Sequence, residues 1–226
     1  VFTRAAQNFS LDKPTTLQLF IEMMIDFING VVKGTFKAAQ NSLIAPMALT
    51  IFFWVLLMNV MDLVPVDLIP YPAELLGIPY LKVVPTTDLN LTAALALSVF
   101  VLYLFYSIKS KGFVGFIKSI SLHPFGPWML PANLFIEIID LIAKPLSLAL
   151  RLYGNLYAGE MIFLLIAGMV SINLTSFMGL GLNLAGITLS LIWAIFHILI
   201  VVLQAFIFMM LTVVYMNMAH EKFEQH

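Results

Sequence analysis

Apolar residues run along this chain in stretches longer than a soluble core requires. Polar residues gather between those stretches and at a few places inside them. The run "LIAPMALTIFFWVLLMNVMDLV", 43–64, is long enough to cross a membrane, and so is "LNLTAALALSVFVLYLFYSI", 89–108. Ahead of both, "TLQLFIEMMIDFINGVVKGTFKAAQ", 16–40, mixes apolar positions with Glu22, Asp26, Lys33 and Lys37. That mixture predicts an amphipathic helix at the membrane surface, broken or bent around Gly30. Between the spans lies a loop, 65–88, rich in proline and acid (Asp67, Glu74, Asp88). A basic loop, 109–130, follows the second span and carries Lys109, Lys111 and Lys118.

Two further runs exceed an ordinary span. Residues 131–169 predict one long helix, with Pro145 as the place for a kink. At the rise of an α-helix it would reach about 58 Å. The hydrocarbon core of a bilayer is only about 30 Å thick. The second run covers 184–219, and Asn173, Thr175, Ser176, Gly179 and Gly181 punctuate the link between the two. An antiparallel hairpin follows, strongly tilted or lying partly along the membrane. The fold class is therefore an all-α, polytopic integral membrane protein, with 1–226 as a single transmembrane domain and 1–42 as a cytoplasmic, amphipathic segment.

Composition sharpens this picture. The chain is 62% hydrophobic and 10% charged, with a mean hydropathy of +1.01; soluble domains carry about 25% charge. A net charge of −1 gives no electrostatic case for nucleic acid. Cysteine is absent, which excludes disulfides and thiolate metal sites. The sequence has no phosphate-binding glycine loop and no cluster of histidines and carboxylates, so neither a cofactor nor a metal is expected. His123, His220 and His226 read as solvated loop or tail residues, and the sequons at Asn8, Asn90 and Asn173 as chance matches.

Lysine and arginine set the expected orientation. Residues 1–42 carry Arg4, Lys13, Lys33 and Lys37, and 109–130 carries three lysines. The 65–88 loop has Lys82 alone, and 170–183 has none. Val1 and the C-terminus are thus expected in the cytoplasm, with 65–88 and 170–183 outside and four passes between them.

Within the first long run the polar residues share a face. With Arg151 at zero and 100° per residue, Ser147 lies at about −40°, Lys144 at +20°, Asp140 at −20°, and Glu137 and Asn155 at +40°. Gly154 and Ala158 flank that face and are small enough for another helix to approach. Glu160 falls on the opposite side. Lys144 and Asp140 are spaced as an i,i+4 pair, which can be purely structural. Arg151 is harder to explain as packing: it cannot lose its proton, and no acid lies three or four residues away on its helix. Its counter-ion must come from another helix or another chain. In the second long run Ser190, His197 and Gln204 recur at intervals of seven residues, with Asn183 and Tyr215 near the same line. A lone membrane histidine is often a packing residue, but this row favours a proton relay, and Glu160 lies at a matching depth. Asp62, with Asn59, ends the first span; capping a helix end near water is the first reading and a place in an entry vestibule the second.

"RLYGNLYAGE", 151–160, followed by "WAIFHILIVVLQAFIF", 193–208, resembles the subunit a family of F-type ATP synthases in its bacterial form. "LIAPMALTIFFWVLLMNVMDLVP" and "LFYSIKSKG" extend the resemblance over essentially the whole chain. It implies a further N-terminal transmembrane helix ahead of "VFTR". It also implies that Arg151 faces a rotor ring of c subunits. Asn155, Glu160, His197 and Gln204 match the outer half-channel. Glu137 and Ser147 match the cytoplasmic half-channel, with Lys144 beside them and Asp140 where relatives can carry a small polar residue. Protons would enter from outside, neutralise a rotor carboxylate, travel with the ring, and be released where Arg151 lowers that carboxylate's pKa. The implied partners are the c ring, the b subunits of the peripheral stalk and the rest of the ATP synthase, in a bacterial inner membrane. The implied chain is not itself an enzyme and binds no nucleotide. The rival class is an ion-coupled secondary transporter, which also places charges at mid-membrane. The absence of internal repeats and the two over-long helices argue against it, and a pure scaffold leaves the aligned stripes unexplained.

Overall fold

A computed structural model describes residues 14–35, 43–63, 86, 88–122, 127–170 and 177–220. Among these the regular structure is helical: α1 (Thr16–Thr35), α2 (Ile44–Val60), α3 (Leu89–Leu122), α4 (Leu130–Val170) and α5 (Phe177–His220). Single 3₁₀ turns follow α2 (Met61–Leu63) and precede α4 (Pro127–Met129). The expected outer loop 65–88 and the tip of the hairpin link lie almost wholly outside the described residues.

The helices cohere through small and branched residues at spacings of three and four. Leu148, Leu152 and Leu156 form one ridge on α4. Val201, Ala205, Phe208, Met209, Val213 and Met216 form the longest buried line, on α5. Ala48 and Phe52 of α2 and Ala96, Val99 and Tyr103 of α3 complete the core. Alanine at these points lets helix backbones approach closely, which matters where lipid removes the hydrophobic drive between helices. α3 packs along α4, α2 along α5, and α5 also touches α3 and α4; α1 rests on α2 and α5. Four hydroxyls inside the apolar helices are satisfied locally, whereas that of the buried Ser107 on α3 has no partner among the described residues. Thr50, Ser98, Thr188 and Thr212 each donate to the carbonyl four residues back, at 2.8–2.9 Å.

Among the described residues, three helices are long and apolar enough to cross a membrane, over Ile44–Leu63, Leu89–Ser121 and Gly179–His220. α4, with 41 residues, is about as long as the longest of them, but its charged stripe makes it more polar. The 44 residues of α5 would extend about 66 Å, twice a hydrocarbon core.

Several sequence expectations need correction. α1 does not break at Gly30: it runs unbroken from Thr16 to Thr35, because Ile28 and Val32 on either side are both buried against the bundle. A single exposed glycine costs only about 1 kcal/mol of helix propensity. The 109–130 segment is not a loop throughout, since α3 continues to Leu122 past one non-helical residue, Gly112. α4 runs as the one long helix expected, with Pro145 inside it. The second long helix starts at Phe177 rather than 184, so Gly179 and Gly181 are helical.

Candidate functional site

α4 and α5 run side by side and place their polar residues in two clusters, one on each side of Arg151. The first cluster is built around His197. Its Nε2 lies 2.7 Å from Oδ2 of Asp62, and the two side chains are 2% and 4% exposed. With Asp62 ionised, Nε2 carries the hydrogen and donates it. Asp62 is carried there by the 3₁₀ turn that tightens the end of α2, one turn beyond the fully buried Asn59. The amide of Asn59 donates to the carbonyl of Val201 at 3.5 Å and so fixes α2 against α5 one turn inward from His197.

α4 supplies the rest of this cluster. Glu160 stands within reach of both the Asp62 carboxyl and the His197 imidazole. Two acids and an imidazole in one pocket can hold and pass a proton among themselves. Gly159 makes the pocket possible: a Cβ on it would collide with Cε1 of His197 and sit 2.7 Å from its Nδ1. The edge of Phe163 meets the same imidazole, with ring centroids 5.5 Å apart at 78°. One turn along α5, the indole N–H of Trp193 donates to the carbonyl of Gly159 at 3.3 Å. These contacts hold the two long helices in register where His197 needs it.

Between this cluster and Arg151, Nδ2 of Asn155 donates to Oε1 of Gln204 at 2.7 Å, another bridge from α4 to α5. Gln204 is buried, while Asn155 lies on the open face of α4. Arg151 is half-buried, one turn further, and makes no hydrogen bond or ion pair with any described residue.

The second cluster lies on the other side of Arg151. Lys144 is buried, with its Nζ 2.7 Å from Oδ2 of Asp140 and 5.0 Å from the centre of the Tyr103 ring on α3. Tyr103 in turn meets Tyr215 of α5 edge to face, with centroids 6.4 Å apart. Lys144, Tyr103 and Tyr215 line a void of about 10 Å³, at the lower limit for one water. Tyr215 is within electrostatic reach of Lys144, Asp140 and Arg151. Ser147 is exposed on the open face and Glu137 half-buried near the start of α4.

Most of the sequence-derived site is therefore brought together, with two rearrangements. Lys144 does not stand open on the stripe with Ser147 and Asp140; it turns into α3, where an aromatic face and one carboxylate receive its ammonium. Asp62 does not cap a helix end in water but is buried on His197. Sequence reasoning also missed Gly159, Trp193, Phe163 and Tyr103. A glycine inside an otherwise strong helical pattern, directly before an intramembrane acid, was the signal for Gly159. Nothing local marks the others. Among the described residues, no group of three or more histidine, aspartate or glutamate side chains is placed to hold a metal ion.

Residues 1–217 match the family model described as ATP synthase A chain. Curated relatives agree over nearly the full length. ATP synthase subunit a of Shewanella amazonensis is 56% identical over 222 residues, covering 98% of this chain and 81% of the relative. The subunit a sequences of Shewanella oneidensis and Shewanella baltica are 56% and 55% identical over the same coverage.

Proposed function

The chain belongs to the ATP synthase A chain family and is a stator subunit of that complex's membrane sector, and from this premise we propose that its two polar clusters are offset proton half-channels separated by Arg151. The cluster of Asp62, His197 and Glu160, continued by Asn155 and Gln204, forms the outer limb. The region of Glu137, Asp140, Lys144 and Ser147 forms the cytoplasmic limb. The N-terminal segment and the C-terminus face the cytoplasm of a bacterial plasma membrane, as the lysine distribution argues.

The pairing state of Arg151 carries this reading. A guanidinium inside a membrane helix is unfavourable unless it meets an anion, and Arg151 meets none among the described residues. It sits on the open face of α4, beside Gly154 and Ala158, where a neighbouring helix can come close. Its partner is then a carboxylate of the c ring. That carboxylate is neutral while it faces lipid and ionises as it reaches Arg151, because a nearby fixed cation favours the charged form. Arg151 neither gives nor takes a proton at working pH, so it also separates the two limbs. Each charge moved through 100 mV releases about 2.3 kcal/mol, which the ring turns into rotation. The b subunits hold this chain against that torque, and nucleotide chemistry takes place elsewhere in the complex.

Proteoliposomes carrying the whole complex test the assignment. Arg151→Ala should abolish ATP-driven proton pumping, leave the complex assembled and raise the passive proton leak. Arg151→Lys should also fail to pump, since lysine lacks the planar fork and loses its proton readily when desolvated. Near-normal pumping by the alanine variant would show that the arginine is structural.

A further inference from the structure

The apolar part of α3, 89–108, spans about 30 Å at 1.5 Å per residue, one hydrocarbon core. Four residues later Gly112 leaves helical geometry, with φ 73° and ψ 160°. L-residues avoid that region, so glycine is what permits the chain to change direction there. The turn falls where the helix reaches the membrane surface. Beyond it, Phe113, Val114 and Ile117 are 65%, 67% and 47% exposed. At 100° per residue these three fall within about 100° of one another, with Lys118 next to them at about 140° from Phe113. Lys109, just before the turn, has its Nζ 5.9 Å from the centre of the Phe105 ring. No aspartate or glutamate occurs between Leu89 and Ile136, whereas Lys109, Lys111 and Lys118 all do. The amide of Asn133 donates to the carbonyl of Ser121 at 3.2 Å and ties the start of α4 to this arm. Trp128, on the turn leading into α4, is 97% exposed.

An exposed apolar strip edged by lysines and free of acids, at the end of a span, matches a bilayer surface rather than water or an acidic core. We propose that the arm from Gly112 to Leu122, with Trp128, lies in the plane of the membrane and binds anionic phospholipid. Phe113, Val114 and Ile117 enter the acyl region, and the ammonium groups of Lys109 and Lys118 take the headgroup phosphates. The inference stands on α3 and the turn into α4 and does not depend on the half-channel assignment.

Brominated lipids test it in the reconstituted complex. Vesicles contain phosphatidylcholine and phosphatidylglycerol in fixed ratio, with bromine on the acyl chains of one or the other. Trp128 emission is taken as the difference between the complex and its Trp128→Phe variant. Brominated phosphatidylglycerol should quench Trp128 severalfold more than brominated phosphatidylcholine at equal mole fraction, since each surface lysine enriches an anionic lipid by about fivefold. Lys109→Gln combined with Lys118→Gln should remove that preference and leave quenching by phosphatidylcholine intact. Equal quenching by the two lipids in the unaltered complex would overturn the proposal. So would no quenching by either, which would mean that another subunit or water covers the arm. Failure of the double-lysine variant to assemble would assign these lysines to a subunit contact and likewise refute it.

Discussion

Nε2 of His197 and Oδ2 of Asp62 lie 2.7 Å apart although 135 residues separate them in sequence, and both side chains are shut off from the surface. The contact joins the turn after α2 to α5 within reach of Glu160 of α4, so side chains from three parts of the chain meet in one pocket. A buried imidazole against a buried carboxylate is costly to break by removing one partner, because the other is left without compensation.

Asp62→Asn should therefore weaken proton transfer through this cluster while preserving assembly. A hydrogen bond to a charged group contributes about 1.5–3 kcal/mol, which corresponds to a loss of tenfold or more in flux. ATP-driven pumping in inverted vesicles and passive conductance after removal of the catalytic head would both report it. Unchanged rates in the two assays would make Asp62 a structural partner of His197 and nothing more.

Gly159→Ala should be damaging out of proportion to one methyl group. The added Cβ would collide with Cε1 of His197 and sit 2.7 Å from its Nδ1, and the ring is held on other sides by Asp62 and Phe163. Forcing atoms into a filled site costs about 1–3 kcal/mol, here through displacement of the imidazole. Gly168→Ala is the control, since its Cβ would meet nothing within 4 Å. Pumping should fall about tenfold or more in the first variant and stay near normal in the second; equal behaviour would mean that His197 tolerates a shift.

Lys144 and Asp140 should respond unequally to mutation. Lys144→Met removes the charge and keeps a flexible apolar chain in a niche lined by Val99, Phe100 and Leu148. Asp140→Asn leaves a buried ammonium with an aromatic face and no carboxylate. The aspartate variant should be the less stable of the two, by about 1–3 kcal/mol after allowing for the half-exposed Asp140. Thermal inactivation of the purified complex compares them directly, and greater loss in the methionine variant would reverse the order of importance.

The sequence alone determined the membrane class, the helical architecture and the polar stripes, because helical periodicity and apolar length are local properties of the chain. It singled out Arg151, since a charge that cannot be neutralised persists in an apolar span only where an anion meets it, and it set Asn155 on the same face and His197 and Gln204 in a second row, with Glu160 on the opposite side of its helix. The extent of α3 and α5 and the continuity of α1 depended on packing, so Gly30 misled, whereas the single long helix expected around Pro145 is observed and the non-helical Gly112 on α3 had gone unread. Tertiary structure alone decided which way each polar side chain turns. Angles along α4 put Lys144 beside Arg151, yet the ring of Tyr103 on another helix drew it inward. Depth along α2 put Asp62 at a helix end, yet His197 on α5 claimed it. Partners for a buried charge are chosen by distance in space, and that distance is fixed only when separate helices have packed.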